Sequence, residues 1–171
     1  MAMESLHDLM VEELRDLYNA EKQLLKALPK MAKAATHPKL KKGFETHLAE
    51  TEGQVQRLDK IFKLLGEKPT GKRCKAMEGL IEEGSELLEE ADKIPEEVLD
   101  AALIAAAQKV EHYEIGSYGT VATYAEMMGH DEIAELLKAT LGEEEATDEK
   151  LSALAESEIN EMAMAGEMEE E

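Results

Sequence analysis

Apolar positions recur three or four residues apart along this chain and β-branched runs are absent, so the pattern predicts helices and no strand. Ser5 followed by Asp8 reads as a capped start. Met10, Leu14, Leu17, Leu24 and Leu28 then mark one face of a helix running to about residue 35, with a kink expected at Pro29. Thr36-His37-Pro38 is a turn with proline at the next helix's first position. That helix shows Leu40, Phe44, Leu48, Val55, Leu58, Ile61 and Leu65, and Gly66 closes it. A loop, Glu67-Lys68-Pro69-Thr70-Gly71, leads into a shorter amphipathic helix over about residues 74–91. Pro95 opens a long helix to about Met128, ended by Gly129, and Asp131 caps a last helix that continues past Leu154. The bundle is expected over residues 1–157, with a crossover over about 66–94. Residues 158–171, ending Glu167-Met168-Glu169-Glu170-Glu171, have too little periodic apolar content and are expected to be an acidic tail, frayed or disordered.

The chain also repeats itself. Shifting the first two long helices by 93 positions lays Leu17 on Val110, Glu21 on Glu114, Leu28 on Val121 and Ala32 on Ala125. His37 falls on His130 in the turn, Leu40 on Ile133, Leu48 on Leu141, Glu50 on Glu143 and Leu58 on Leu151, with no gap. Two hairpins related by a pseudo-two-fold axis and joined by a long crossover describe an all-α, ferritin-like four-helix bundle. Met10, Leu14, Leu17, Leu24, Leu103, Leu137, Leu141 and Leu151 are expected in its core.

Acidic residues interrupt the apolar stripes, and this is the informative feature. Glu21 stands between Leu17 and Leu24. In the second helix the inner series carries His47, Thr51 and Gln54 at its centre, with Glu50 one turn from His47 and Gln54. In the long fourth segment Glu114 follows Leu103, Ala107 and Val110, while Glu111 lies in the adjacent stripe with Ile104, Gln108, Ile115 and Tyr118. In the last helix periodicity leaves Glu143 and Glu144 as alternatives. The repeat prefers Glu143, and Asp148 at i+4 favours Glu144.

Taken singly, each glutamate fits a solvated helix face, paired with cations such as Lys22, Lys26, Arg57 or Lys109, and His47 fits a satisfied core histidine. Their coincidence at comparable heights in four helices points to a site. Unpaired carboxylates in a core cost several kcal/mol, and a pair of metal ions satisfies them together. Carboxylates with one imidazole suit iron or manganese, with zinc as a possible occupant. The metal ligand candidates are Glu21, His47, Glu50, Glu111, Glu114, Glu143 and Glu144.

Composition narrows the picture. Aromatics are 4% and Trp is absent, so the core must be filled by Leu, Ala, Met, Ile and Val. A formal charge of −20 opposes binding to nucleic acid or an anionic membrane and makes cations the natural small partners. Cys74 is alone, which excludes an intramolecular disulfide and a CxxC knuckle; it reads as an ordinary thiol in a reducing cytosol. The N-terminal residues lack the pattern of a signal peptide, and no apolar stretch approaches the roughly 18 residues that span a bilayer, so the expected location is cytoplasmic.

Several segments resemble one known family. These are Tyr18-Asn19-Ala20-Glu21-Lys22-Gln23-Leu24, His47-Leu48-Ala49-Glu50-Thr51, Cys74-Lys75-Ala76-Met77-Glu78-Gly79-Leu80, Gln108-Lys109-Val110-Glu111-His112-Tyr113-Glu114-Ile115 and Thr140-Leu141-Gly142-Glu143-Glu144-Glu145. Together they resemble the YciE/YciF-like bacterial stress proteins, from Ser5 to about Ala155. The resemblance implies a ferritin-like fold, a homodimer and a part in stress responses. Rubrerythrin-type sites of that superfamily match at Glu21 and at Glu111 and Glu114, but here Gln54 follows Glu50 and Asp148 follows Glu144 where those sites carry histidine. The expected function is a dimetal-carboxylate protein of the stress response reacting with oxygen or peroxide. The alternative is a non-enzymatic, dimeric structural or interaction protein whose buried acids are protonated or paired with lysine.

Overall fold

The computed structural model describes residues 3–168. Its helices are α1 (Leu6–Ala34), α2 (Pro38–Leu65), α3 (Lys75–Glu89), α4 (Glu96–Met127), α5 (Asp131–Leu154) and α6 (Asn160–Met168), and no strand occurs among the described residues. The Ser5 hydroxyl accepts from the Asp8 N–H to cap α1, and Pro29 lies inside that helix without ending it. Pro38 occupies the first turn of α2. Gly66 and Gly129, at φ 68° and 74°, take the left-handed conformation that lets each long helix stop, which an L side chain would strain. His130, not Asp131, holds the N-cap position of α5; Asp131 lies in the first turn, where its charge favours the helix N-terminus.

The helices pack as two antiparallel hairpins, α1 with α2 and α4 with α5; α1 also meets α4, and α2 meets α5. The crossover helix α3 lies on α1 and α4 and buries Met77 between them. Cys74 caps α3 and is fully buried, its sulfur 3.2 Å from the Tyr113 hydroxyl. Burial pushes this thiol up, so the flanking cations do not make it a reactive thiolate.

Two further places differ from the sequence expectations. Leu141 is half-buried rather than buried, because its neighbour Thr140 takes the inward position at 1% exposure. The chain beyond residue 157 is also not frayed as far as it is described. A π turn, Ala155–Ile159, carries it into α6, which packs on α4, and Ile159 is 1% exposed. Residues 169–171 of the expected tail lie outside the described residues.

The apolar core comes in two clusters. One contains Leu24, Leu28, Phe44, Leu103, Val110 and Leu151; the other contains Leu14, Leu17, Leu58, Tyr118, Val121 and Leu137. The 93-residue shift exchanges them: Leu17 and Val110, Leu28 and Val121, Phe44 and Leu137, and Leu58 and Leu151 sit in opposite clusters. A two-fold axis across the bundle does this, and it passes through the layer between the clusters. That layer is polar. Glu21, His47, Thr51, Gln54, Glu111, Glu114, Thr140 and Glu144 all bury there, forming a belt at mid-height.

One buried acid outside the belt belongs to the scaffold. Asp100 on α4 accepts from the Thr36 N–H at 2.9 Å, the Thr36 hydroxyl at 2.7 Å and the His37 N–H at 2.8 Å, pinning the first hairpin's turn. Asp100→Ala leaves those donors unpaired and should lower stability by about 1–3 kcal/mol in urea unfolding. An unchanged midpoint would show that water replaces the carboxylate without loss.

Candidate metal centre

Several belt residues reach the axis because the helix places them one turn beyond a core residue. Leu17 precedes Glu21, Phe44 precedes His47, Val110 precedes Glu114, and Leu137 and Thr140 lead to Glu144. Glu21, Glu114 and Glu144 are at 0% exposure, Glu111 at 1% and His47 at 3%. His47, Glu111, Glu114 and Glu144 each offer one ligand atom, and these atoms all lie within 4.8 Å of one another, so the group can hold a metal ion. His47 Nε2 is 2.9 Å from Glu111 Oε1 and 3.8 Å from Glu144 Oε2. Donors on adjacent corners of an octahedral shell with bonds of about 2.1 Å stand about 3 Å apart, so the shorter distance, which is that of an ion pair in the metal-free protein, is also compatible with two ligands of one ion.

Hydrogen bonding in the belt is incomplete. Glu21 Oε2, His47 Nε2, Glu111 Oε2, both oxygens of Glu114 and both of Glu144 are buried with no hydrogen-bond partner. With its ring protonated, His47 forms an ion pair with Glu111 across that 2.9 Å contact. Native cores leave few such atoms, and this many converging on one point mark a place that could bind an ion. The one satisfied oxygen of Glu21 accepts from the Tyr118 hydroxyl at 2.5 Å, which fixes that carboxylate's orientation.

Electrostatics tell the same story. Burial pushes Glu21 up to about 7, opposed by the Tyr118 hydrogen bond. Burial, then the charges of Glu21 and Glu144, raises Glu114 well above the usual carboxylate range. Glu144 is raised well above it by burial and by Glu111. Burial alone would lower His47, but Glu111 and Glu50 beside it outweigh that and hold it well above the ordinary histidine range. Carboxyls thus crowd the belt, and a charged His47, protons or a bound cation can each relieve them.

The structure decides between the two adjacent glutamates of α5. Glu144 joins the belt. Glu143 points away, half-buried, in a two-pronged ion pair with Arg57 at 2.6 and 2.7 Å, and also accepts from Gln54 Nε2 at 3.1 Å. Glu50, its repeat mate, is also half-buried and stands at the rim, with Oε2 3.4 Å from His47 Nδ1. Symmetry therefore holds for Glu21 and Glu114 but not for the second pair: the mate of buried Glu144 is Thr51, whose hydroxyl donates to the His47 carbonyl. Asp148 lies outside the group, bonded by Gln108 and His112. Tyr118, Arg57 and Gln54 were not among the ligand candidates, because their bonds to Glu21 and Glu143 join distant parts of the chain that local spacing does not connect.

A family model described as Domain of unknown function (DUF892) matches residues 5–164. Protein YciF of Escherichia coli K12 is 51% identical over 164 residues, covering 95% of this chain and 98% of its own length. The crystal structure of the E. coli stress protein YciF superposes with a TM-score of 0.87, covering 92% of this chain and 99% of that one. YcfI of Rhodopseudomonas palustris follows at TM-score 0.83 and 47% identity, over 88% of this chain and 94% of its own. A protein of Xanthomonas campestris at 21% identity and TM-score 0.75, covering 95% of this chain and 99% of that one, shares the fold. With the helical pattern, the bundle and these relatives in agreement, the chain belongs to the YciE/YciF-like family of bacterial stress proteins.

Proposed function

We propose that this protein is a dimetal-carboxylate protein of the bacterial stress response, with Glu21, His47, Glu111, Glu114 and Glu144 holding the ions. The observation that carries the reading is the convergence of buried, unpartnered ligand atoms from four helices. Four buried carboxylates match the charge of two divalent cations, which supports a pair rather than a single ion. One imidazole among carboxylates favours iron, with manganese next.

Bound there, such a pair would supply one-electron chemistry toward oxygen or peroxide. The chain's own contribution is to orient and cover the ligands. Tyr118 holds Glu21 in one rotamer. Glu50 faces His47 Nδ1 and orients the ring so that Nε2 faces the ligand group, a task outer carboxylates perform for metal-binding histidines. Glu50 thus serves this site from outside it, and Glu143 braces α5 against α2 through Arg57. The two apolar clusters cover the ligands from above and below.

Assembly as a homodimer in the cytoplasm belongs to the same proposal and rests on the family resemblance. No helix among the described residues is long and apolar enough to cross a membrane. The test is elemental analysis of protein purified from its native host and of apoprotein loaded with ferrous iron. About two metal ions per chain are expected. No metal in either preparation would leave the structural or interaction reading, with the belt kept as a protonated carboxyl network.

A further inference from the structure

A groove of about 360 Å³ opens between α2 and α5 and runs inward to the belt. This is within the roughly 300–1,000 Å³ of small-molecule sites. Its walls are apolar: Leu24 and Leu28 from α1, Leu40 and Phe44 from α2, and Ala107 and Leu151 from α4 and α5. Its floor includes His47 and Glu111, and Glu111 Oε2 is buried with no hydrogen-bond partner. Its mouth carries Lys39, Lys42 and Lys150 against one carboxylate, Glu50. In a chain of net charge −20, that rim has the opposite sign to its surroundings. Lys39 is engaged by Glu158, while Lys42 has no ion-pair partner among the described residues.

We propose that this groove binds an amphipathic anion, its apolar chain lying inward against Leu28 and Phe44 and its charged head at Lys42 and Lys150. The orientation is set by charge. An anionic head at the floor would meet the acidic belt, whereas at the mouth it meets ammonium groups. Apolar walls give the chain a water-free lining that a purely polar ligand would not use. Binding itself requires no metal. What the proposal adds to the metal-centre reading, and rests on that reading for, is a ligand class for that site: the inner end of an aliphatic chain would lie beside His47 and Glu111.

The probe is decanoate, titrated calorimetrically into the full chain in metal-free and metal-loaded forms, with decanol and decyltrimethylammonium as comparisons. Decanoate should bind best and decyltrimethylammonium worst. Lys42→Glu combined with Lys150→Glu should weaken decanoate by roughly three- to tenfold, the range two exposed ion pairs allow, and leave decanol unchanged. Gly43 lines the groove, and nothing lies within 4 Å of a Cβ built there, so Gly43→Leu narrows the wall without a clash. It also removes a glycine from the interior of α2, so the fold is not at risk. Binding of decanoate and decanol should be lost with the unfolding midpoint unchanged or raised. Failure of decanoate to bind either form, preference for the cation, or indifference to both variants would overturn the proposal. So would a change of oligomeric state in the groove variants, which would assign this face to a second copy of the chain. Metal analysis of the same samples separates the two readings: decanoate bound by protein that takes up no metal keeps the groove and removes the metal centre, and the reverse result removes only the groove.

Discussion

Glu114→Leu is expected to abolish metal uptake while leaving metal-free protein at least as stable as before. Glu114 offers two buried oxygens with no hydrogen bond, at the point where Glu21, Glu111 and Glu144 also converge. Losing a ligand should weaken binding by at least about 100-fold, since even outer-shell partners are worth 10- to 100-fold. Metal-free, the same change replaces a crowded carboxylate by an apolar group of similar volume, which elsewhere is neutral or stabilising by about 1–4 kcal/mol. Glu143→Gln is the matched control. It breaks the Arg57 pair at a half-buried position and should leave metal stoichiometry unchanged. The pair of measurements, metal content and urea unfolding, separates a binding site from a stability device. Strong destabilisation of metal-free Glu114→Leu would show that the belt carboxyls hold the bundle together as a protonated network, and the metal reading would fall.

Leu137→Ala should cost about 2–5 kcal/mol, and Leu141→Ala less than half of that. Leu137 is 1% exposed inside the cluster formed with Leu14, Leu17 and Tyr118, so truncation opens a cavity that its neighbours fill only in part. Leu141, one turn on, is half-buried at the edge of the same cluster. Equal losses at the two positions would mean that α5 is rotated relative to the arrangement described, and Glu143 and Glu144 would then exchange places.

That one-residue ambiguity marks where sequence reasoning stopped. Helix existence and hairpin order were legible because apolar spacing, Pro38, Gly66 and Gly129 all act locally. The acidic interruption at Glu21 was legible because every neighbour in its stripe is apolar, and Glu114 because the 93-residue repeat lays it on Glu21. In α5 the pattern is weaker: Thr140, Glu143, Glu144 and Thr147 leave two adjacent stripes equally plausible. The rotation is fixed by Arg57, which reaches from α2 to claim Glu143, a contact across 86 residues that no local period encodes. The repeat misled on the same point, because it pairs residues by register while the belt's acids are asymmetric about the axis. The end of the bundle was lost for another reason. The π turn at Ala155–Ile159 inserts a wider turn, shifts the register of α6 relative to α5 and returns Ile159 to the core. Asp100 follows Glu96 and Glu97 by one turn, so no apolar stripe singles it out, and it serves a turn rather than an ion.

A belt that crosses all four helices at one height leaves two apolar blocks, each about half the bundle's length and neither containing a whole hairpin. Small cores bury proportionally less surface, so each block by itself is marginal. Opening that begins at one end of the bundle can halt at the polar layer, and the continuous backbones of α1, α2, α4 and α5 are what transmit order from one block to the other. A cation seated in the layer would tie the helices together at their midpoints and join two half-length cooperative units into one. The supply of metal would then set the size of the unit that unfolds, and with it how often either end of the bundle is exposed to proteases.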